Sequence, residues 1–259
     1  MTLFRWVIRS LVHYRRMHIA VALAAAVATA TLTGALLVGD SVKATLKYAF
    51  DTRLGNAGWV ISDREGFLTE GLARRLKKED IDAAPVLRLR GMVTKGDGSI
   101  RVNRINVLGV DERFFNISLA GTGPAGFENG KVLINSALAY RLKINNDSNA
   151  EVVLRFDNPS AISRNLVLSP FKDSTISIRL PVAGVVDDDH FGRFSLEANQ
   201  QEPLNLFVPL AWLQKQIKRD GKANLVLVRD TSQYFTAHKY LSNHCLNNLR
   251  VLEIKISTF

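Results

Sequence analysis

The sequence predicts an α+β fold, in which one N-terminal transmembrane helix with a stalk precedes a mixed, mostly antiparallel extracytoplasmic domain. Three observations support this prediction. Residues 19–38 are uncharged and apolar, and a helix of that length spans roughly 30 Å, the thickness of a bilayer's hydrocarbon core. Residues 40–54 continue with apolar side chains at helical spacing. From residue 56 onward, β-rich runs alternate with short amphipathic segments, a pattern typical of antiparallel strands covered by helices.

Residues 1–18 are predicted to be a cytoplasmic amphipathic elbow helix. They contain four arginines and no Asp or Glu, so the positive-inside rule keeps them in the cytoplasm and places the main domain outside it. Arg5, Arg9 and Arg16 recur at helical spacing opposite apolar residues, as in helices that lie along a membrane surface. A solvated basic leader is the alternative.

Residues 19–38 are predicted to be the transmembrane helix itself. A cleaved signal peptide is the competing interpretation, but its apolar region usually has about 7 to 15 residues, so the length favours an uncleaved anchor. Small residues recur four apart along one stripe of this helix, at Ala22, Ala26, Ala30 and Gly34. Such stripes let two helix backbones approach closely in lipid, which predicts a partner span; the high Ala content of the segment offers a chance explanation.

Residues 39–55 are predicted to be a helical stalk that ends at Gly55. The extracytoplasmic core domain then occupies residues 56–235, and residues 236–259 form an atypical, polar tail. Thr69 is expected to cap the first helix of the core, and Pro181 to mark a sheet edge or a bulge. The predicted strands are 59–62, 86–95, 99–110, 131–135, 151–156, 165–168, 174–186, 204–208 and 224–229, and the predicted helices are 69–80, 136–142 and 210–218.

Two of these predictions rest on specific local signals. Gly96-Asp97-Gly98 separates two β-rich runs, which is a strong indication of a hairpin. Pro209 opens the helix at 210–218, at a position where proline is tolerated.

The composition of the chain limits which partners it can bind and which covalent cross-links it can form. The net charge is +10, but the dense basic run at residues 74–78 is followed directly by Glu79 and Asp80, so no continuous basic face for nucleic acid is indicated. Cys245 is the single cysteine, which excludes an intramolecular disulfide. We therefore expect no nucleic-acid partner and a core held together by burial alone.

Three groups of residues resemble catalytic or ligand-binding sites, but the sequence around each group does not support such a site. Gly121-x-Gly123-x-x-Gly126, with Asp147 downstream, matches a dinucleotide pattern, but a strand is expected after it instead of a helix. Residues 187–190 (DDDH) match no metal-binding loop and are expected to form a solvated turn. Cys245 with His238 and His244 lacks an orienting acid. The sequence predicts no cofactor, no metal and no enzymatic activity.

Several longer segments carry a resemblance to a known family. They are LVGDSVKATLKYAFDTRLG at residues 37–55, GVDERFF at 109–115, GKVLINSALAYRLKI at 130–144, LPVAGVVDDDHFGRFSL at 180–196 and NLFVPLAWLQ at 205–214. With the basic elbow and the first span, these segments resemble the FtsX-like and MacB-like permeases of ABC transporters, over about residues 1–230.

The resemblance implies a non-catalytic membrane subunit of the cell (inner) membrane. Its partners would be a separate cytoplasmic ABC ATPase, a second copy or a related permease, and the lipid bilayer. Motion driven by the ATPase would pass through the membrane helices to the extracytoplasmic domain, for substrate export or envelope signalling.

The permeases that the sequence resembles have three further spans after this domain. The present sequence has no second apolar run of comparable length, so we expect an incomplete, truncated or frame-shifted copy. The alternative is a single-span, membrane-anchored protein whose extracytoplasmic domain binds an envelope partner or ligand without a transporter.

Overall fold

The computed structural model describes residues 3–63, 66–78, 81–124, 127–128, 130–144, 150–157, 175–197, 201–230 and 249–253. The chain divides into two compact units, residues 1–49 and residues 50–259.

The first unit is helical. Helix α1 covers Leu3–His13, and helix α2 covers Arg15–Leu54 and therefore continues into the second unit. Within the described residues, α2 is the one helix long and apolar enough to cross a membrane by length and composition, with a mean hydropathy of 2.1 in its most apolar stretch. The transmembrane and stalk segments predicted separately thus form a single helix.

The second unit is built on a nine-stranded mixed sheet. Its strands lie in the order β11-β1-β10-β3-β4-β8-β5-β7-β6, and β2 and β9 form a separate two-stranded sheet. The strands are β1 Ala57–Asp63, β2 Leu68–Thr69, β3 Ala83–Lys95, β4 Arg101–Val110, β5 Val132–Asn135, β6 Glu151–Asp157, β7 Thr175–Val186, β8 Asn205–Pro209, β9 Lys222–Ala223, β10 Leu225–Arg229 and β11 Leu249–Glu253.

In the described part of this unit, four short helices cover the sheet, at α3 Gly71–Lys78, α4 Glu112–Asn116, α5 Ser136–Leu142 and α6 Leu210–Gln216. Among the described strands, β4–β8 and β5–β7 pair in parallel, and the other pairs are antiparallel. The predicted mixed, mostly antiparallel α+β domain is confirmed.

The long strand β3 joins an open sheet to a closed barrel. Its first half pairs with β10 over residues 83–86, and its second half pairs with β6 over residues 91–95. Because β3 also pairs with β4, the six strands β3, β4, β8, β5, β7 and β6 form a continuous ring. The sequence did not predict this closure.

The two largest apolar clusters among the described residues lie in the second unit. One includes Leu87, Val93, Leu154 and Leu206, together with Leu138 and Leu142 of α5, and both of these α5 side chains point inward as predicted. The other contains five fully buried phenylalanines, Phe114, Phe115, Phe191, Phe194 and Phe207, whose rings meet edge-on or tilted. Phe and Leu burial of this kind supplies most of the driving force for folding, at about 25 cal/mol per Å² of apolar surface.

Most predicted strands and helices of the core are present, with two corrections. Thr69 lies in β2 and does not cap α3, whose first turn instead starts with a hydrogen bond from Ala73 N to Glu70 O. Pro181 is not at a sheet edge, because β7 lies between β5 and β6. The pairing of β7 with β5 shifts its register close to Pro181, opposite Val132 and Leu133 of β5, so the predicted bulge is confirmed. The predicted strand at 165–168 lies outside the described residues.

Other elements were missed. Helix α4 and strands β2, β9 and β11 have no counterpart among the predicted elements. Strand β11 lies within the segment predicted to be an atypical tail and pairs antiparallel with β1 at the end of the nine-stranded sheet.

The predicted hairpin between β3 and β4 is confirmed, and Asp97 organises its turn. Asp97 Oδ1 accepts hydrogen bonds from Ser99 N at 2.9 Å and from Ser99 Oγ at 2.6 Å. These hydrogen bonds, the one from the Ser99 side chain first, lower the pKa of the Asp97 carboxyl below its ordinary value.

Candidate functional site

Helix α1 carries the first part of the predicted elbow. Arg5 and Arg9 lie on α1, together with exposed apolar side chains such as Trp6 and Leu11. Arg16, the third predicted elbow residue, lies in the first turn of α2, because α1 ends at His13.

The predicted packing stripe lies on α2. Ala22, Ala26, Ala30 and Gly34 are exposed, and a Cβ placed on Gly34 would meet no atom within 4 Å. Hydroxyl groups on the same helix bond to its own backbone: Thr31 Oγ1 donates to Ala28 O at 2.9 Å. Such internal bonds reduce the cost of placing a polar side chain in a lipid environment.

The glycine-rich segment has no dinucleotide-binding geometry in its described part. Gly121 has φ +68°, strand β5 is the next regular element, and Gly126 and Asp147 lie outside the described residues. A pyrophosphate site of this class needs a helix N-terminus directly after the glycines, so the sequence-based rejection agrees with this arrangement.

The DDDH segment at 187–190 forms the expected turn. His190 N donates to Asp187 Oδ1 at 3.1 Å, and His190 Nδ1 lies 2.5 Å from the same oxygen. Asp188 pairs with Arg193 at 3.0 Å. Two of its three carboxylates thus have partners within the protein, and the described residues contain no group of three metal-binding side chains. The predicted group of Cys245, His238 and His244 lies outside the described residues.

The last turn of α2 is anchored in the core of the second unit. Leu54 is 3 % exposed and belongs to the phenylalanine-rich cluster, and Phe50 packs against the same cluster. Gly55 ends the helix with φ +52°, and a Cβ there would lie 2.8 Å from the Phe191 ring. Only glycine combines this backbone conformation with this close contact.

A cleft of about 410 Å³ opens beside α4 and α6. Its walls are formed by Glu70, Val110, Asp111, Glu112, Arg113, Phe127, Pro209, Leu210 and Ala211. Val110 and Pro209 are the paired last residues of the parallel strands β4 and β8, so the cleft lies where these two strands end and helices begin.

Arg113 is the centre of the polar side of this cleft. Its guanidinium lies 2.5 Å from Asp111 Oδ2 and 3.3 Å from Glu70 Oε1. Asp111 also caps α4 by accepting a hydrogen bond from Arg113 N at 3.0 Å, while Gln214 Nε2 lies 3.4 Å from Glu70 Oε2. The charged groups therefore stabilise one another and hold α4, α6 and the turn after β2 together.

This cluster was not predicted from the sequence, although the sequence contains one local signal for it. Asp111 precedes the Glu112–Asn116 segment and is a favourable N-cap residue, which predicts a helix start. The partners Glu70 and Gln214 lie more than 40 residues and about 100 residues away along the chain, so no local pattern connects them.

A comparison with protein-family models decides the family. The model for the MacB-like periplasmic core domain matches residues 19–243. This chain belongs to the MacB-like periplasmic core domain family. The resemblance inferred from the sequence is therefore confirmed, and the chain carries the extracytoplasmic domain type of ABC-transporter permeases.

One solved structure supports the fold, and a second is similar at a lower score. The periplasmic region of MacB from Actinobacillus actinomycetemcomitans is 15 % identical, with a TM-score of 0.50, and the match covers 79 % of this chain and 92 % of that one. The extracellular domain of the noncanonic ABC-type transporter YknZ from Gram-positive bacteria is 11 % identical, with a TM-score of 0.48, over 76 % and 100 % of the two chains. No curated protein matches the sequence.

Proposed function

We propose that this chain is a non-catalytic membrane subunit of an ABC transporter, which relays ATPase-driven motion to an extracytoplasmic domain. In this proposal α2 crosses the cell membrane, the N-terminus is cytoplasmic, and the second unit lies outside the cytoplasm. The partners are a cytoplasmic ABC ATPase and a second copy or a related permease. The relayed motion serves substrate export or envelope signalling.

One observation carries the proposal. The family match over residues 19–243 takes in the apolar part of α2 together with nearly all of the second unit. A membrane-competent helix and a MacB-like core domain thus occur within one matched segment, as a permease subunit requires.

The route of the relay is supported by how α2 ends. Leu54 and Phe50 are part of the second unit's core, so a force along the helix would act on packed side chains instead of on a loose linker. Packed cores transmit displacement because they have few voids to absorb it.

The basic elbow and the small-residue stripe of α2 have different roles in the proposed permease subunit. Arg5, Arg9 and Arg16 would face the anionic inner surface of the bilayer, where each basic side chain contributes about 1 kcal/mol. The stripe from Ala22 to Gly34 would face another span.

A non-catalytic role is supported by the cleft. Arg113 is paired with the carboxylates of both Asp111 and Glu70, whereas a catalytic group is usually held with its reactive atom directed at a substrate.

The test is co-purification of the full chain from detergent-solubilised native membranes. A stoichiometric ABC ATPase is expected, and it should be absent when an unrelated single-span protein with the same tag is purified in parallel. Recovery of the chain with an envelope partner and without an ATPase would contradict the permease proposal. That result would instead support the single-span binding protein.

A further inference from the structure

The outer face of four adjacent barrel strands is rich in arginine. Across β4, β3, β6 and β7, paired residues form two rows that run perpendicular to the strands. One row is Arg101, Thr94, Val153 and Arg179, and the next is Asn103, Met92, Arg155 and Ser177. We call these two rows, with Arg104 beside them, the arginine face.

Three cations of the arginine face have no carboxylate partner in the described part of the chain. Arg101 and Arg104 are exposed and form no ion pair there, and Arg155 bonds through Nε to the neutral Ser177 Oγ at 3.2 Å. Arg179 differs, because it pairs with Glu151 at 3.1 Å. The face therefore presents an excess of positive charge that the described neighbouring residues do not neutralise.

A bulge in β4 turns Arg104 to the outside. Residues 101 to 103 alternate between exposed and buried, but Arg104 is exposed directly after the exposed Asn103, and Ile105 is again buried. The pairing confirms the extra residue, since Gly91 pairs with Ile105 while Met92 pairs with Asn103. Without this bulge, the alternation would direct the Arg104 side chain into the barrel.

The bulge has a conformational cost. Arg104 has φ +58°, in the left-handed region where glycine is favoured and a side chain is strained. An arginine at such a position is unfavourable for stability, and strained residues of this kind concentrate where function requires them.

The composition of the arginine face is that of a protein-binding surface. Arginine and methionine are enriched in protein interfaces and lysine is depleted, and Met92 and Val153 lie half-buried between the arginines. The planar guanidinium also suits two-point recognition of a carboxylate. Surfaces that bind bilayers usually project aromatic side chains, and neither row contains one.

We propose that the arginine face docks a protein partner whose contact surface presents Asp and Glu side chains around a small apolar centre. Arg101, Arg104 and Arg155 bind the carboxylates, and Met92 and Val153 receive the apolar contact. This proposal rests on the second unit alone and holds whether or not an ATPase associates with the chain.

The test uses a fluorescein-labelled peptide, Glu-Glu-Glu-Leu-Leu-Glu-Glu-Glu, and fluorescence anisotropy with the full chain in non-ionic detergent. The triple variant Arg101→Gln, Arg104→Gln, Arg155→Gln should weaken peptide binding by about tenfold or more, since charge pairs at an interface contribute strongly at low salt. The control variant Arg74→Gln, Arg75→Gln, Lys78→Gln removes the same charge from exposed positions of α3 and should change binding less than about twofold.

Three results would overturn the proposal: no binding of the peptide by the wild-type chain, an equal loss in both triple variants, or displacement of the peptide by glycerol 3-phosphate at concentrations where glutamate has no effect. The last result would assign the face to phosphate headgroups.

The single variant Arg104→Gly separates binding from folding. Glycine relieves the left-handed strain, so the thermal midpoint should stay the same or rise, while peptide affinity should fall by a few fold. An unchanged affinity would show that Arg104 does not take part.

Discussion

Asn135 and Asn205 are both buried, and the side-chain amide of each donates a hydrogen bond of 3.0 Å to the same carbonyl, that of Gly192. Asn135 also caps α5 by accepting from Leu138 N, and Asn205 also donates to Phe194 O at 2.8 Å. The two amides therefore attach the segment around residues 192–194 to the ends of strands β5 and β8.

Replacing Asn205 with alanine should reduce the free energy of unfolding by about 2 to 3 kcal/mol, because the Phe194 carbonyl loses its side-chain donor in a buried site. Chemical denaturation of the full chain in detergent measures this. The control Asn103→Ala alters an exposed amide on β4 and should stay within about 0.5 kcal/mol of wild type. Equal effects of the two substitutions would contradict the role given to Asn205.

Gly91→Ala tests the closure of the barrel. A Cβ at Gly91 would lie 2.6 Å from the backbone oxygen of Arg155 on β6, so β3 and β6 would have to separate. We expect a loss of about 1 to 3 kcal/mol in stability. Gly184→Ala on β7 is the matched control, since its Cβ would meet Leu133 at an ordinary 3.6 Å. A neutral Gly91→Ala variant would show that the strands are not closed at this point.

Local patterns predicted the local parts of this fold. The hairpin of β3 and β4 followed from Gly96-Asp97-Gly98, and the inward side of α5 followed from the spacing of Leu138 and Leu142. The ring closure did not, because it depends on β3 pairing with β6, about 60 residues further along the chain. Long-range pairing is decided by burial across the whole barrel and leaves no signature in a short window.

The candidate functional regions were likewise predicted only where their sequence signal is local. The membrane-competent helix was evident because its apolar length is a continuous local signal. The cleft at Arg113 and the arginine face were not predicted, because their members come from elements far apart in the sequence. Strand β11 was missed because two of its five residues, Arg250 and Glu253, are charged, as is common in strands at a sheet edge.

The Asp97 turn makes a contribution to stability that depends on pH. Since its hydrogen bonds to Ser99 lower the Asp97 pKa in the folded protein, this contribution is fully present above the ordinary pKa of an aspartate and is lost as the pH falls through the lowered value. Asp97→Asn should therefore reduce the unfolding midpoint near neutral pH and have little effect in strong acid. Ser99→Ala, which removes the hydroxyl donor, should reproduce part of the change. A difference between wild type and Asp97→Asn that is the same at both pH values would contradict this explanation.

The stripe on α2 can be tested inside the bilayer. Ala26→Leu with Ala30→Leu adds bulk to the stripe and should weaken association between spans, measured by energy transfer between labelled chains in vesicles. Ala24→Leu with Ala28→Leu adds the same volume on the opposite side of the helix and should leave association unchanged. If both pairs have the same effect, the stripe is not the contact surface.

The orientation of the chain in the membrane is the most direct test of its proposed role as a permease subunit. In a Cys245→Ser background, single cysteines are introduced at Ser10 on α1 and at Tyr140 on α5, which is 86 % exposed. A membrane-impermeant maleimide is then applied to spheroplasts before and after lysis. We expect Tyr140→Cys to be labelled in intact spheroplasts and Ser10→Cys to be labelled only after lysis. Labelling of Ser10→Cys before lysis, or protection of Tyr140→Cys until lysis, would contradict the account.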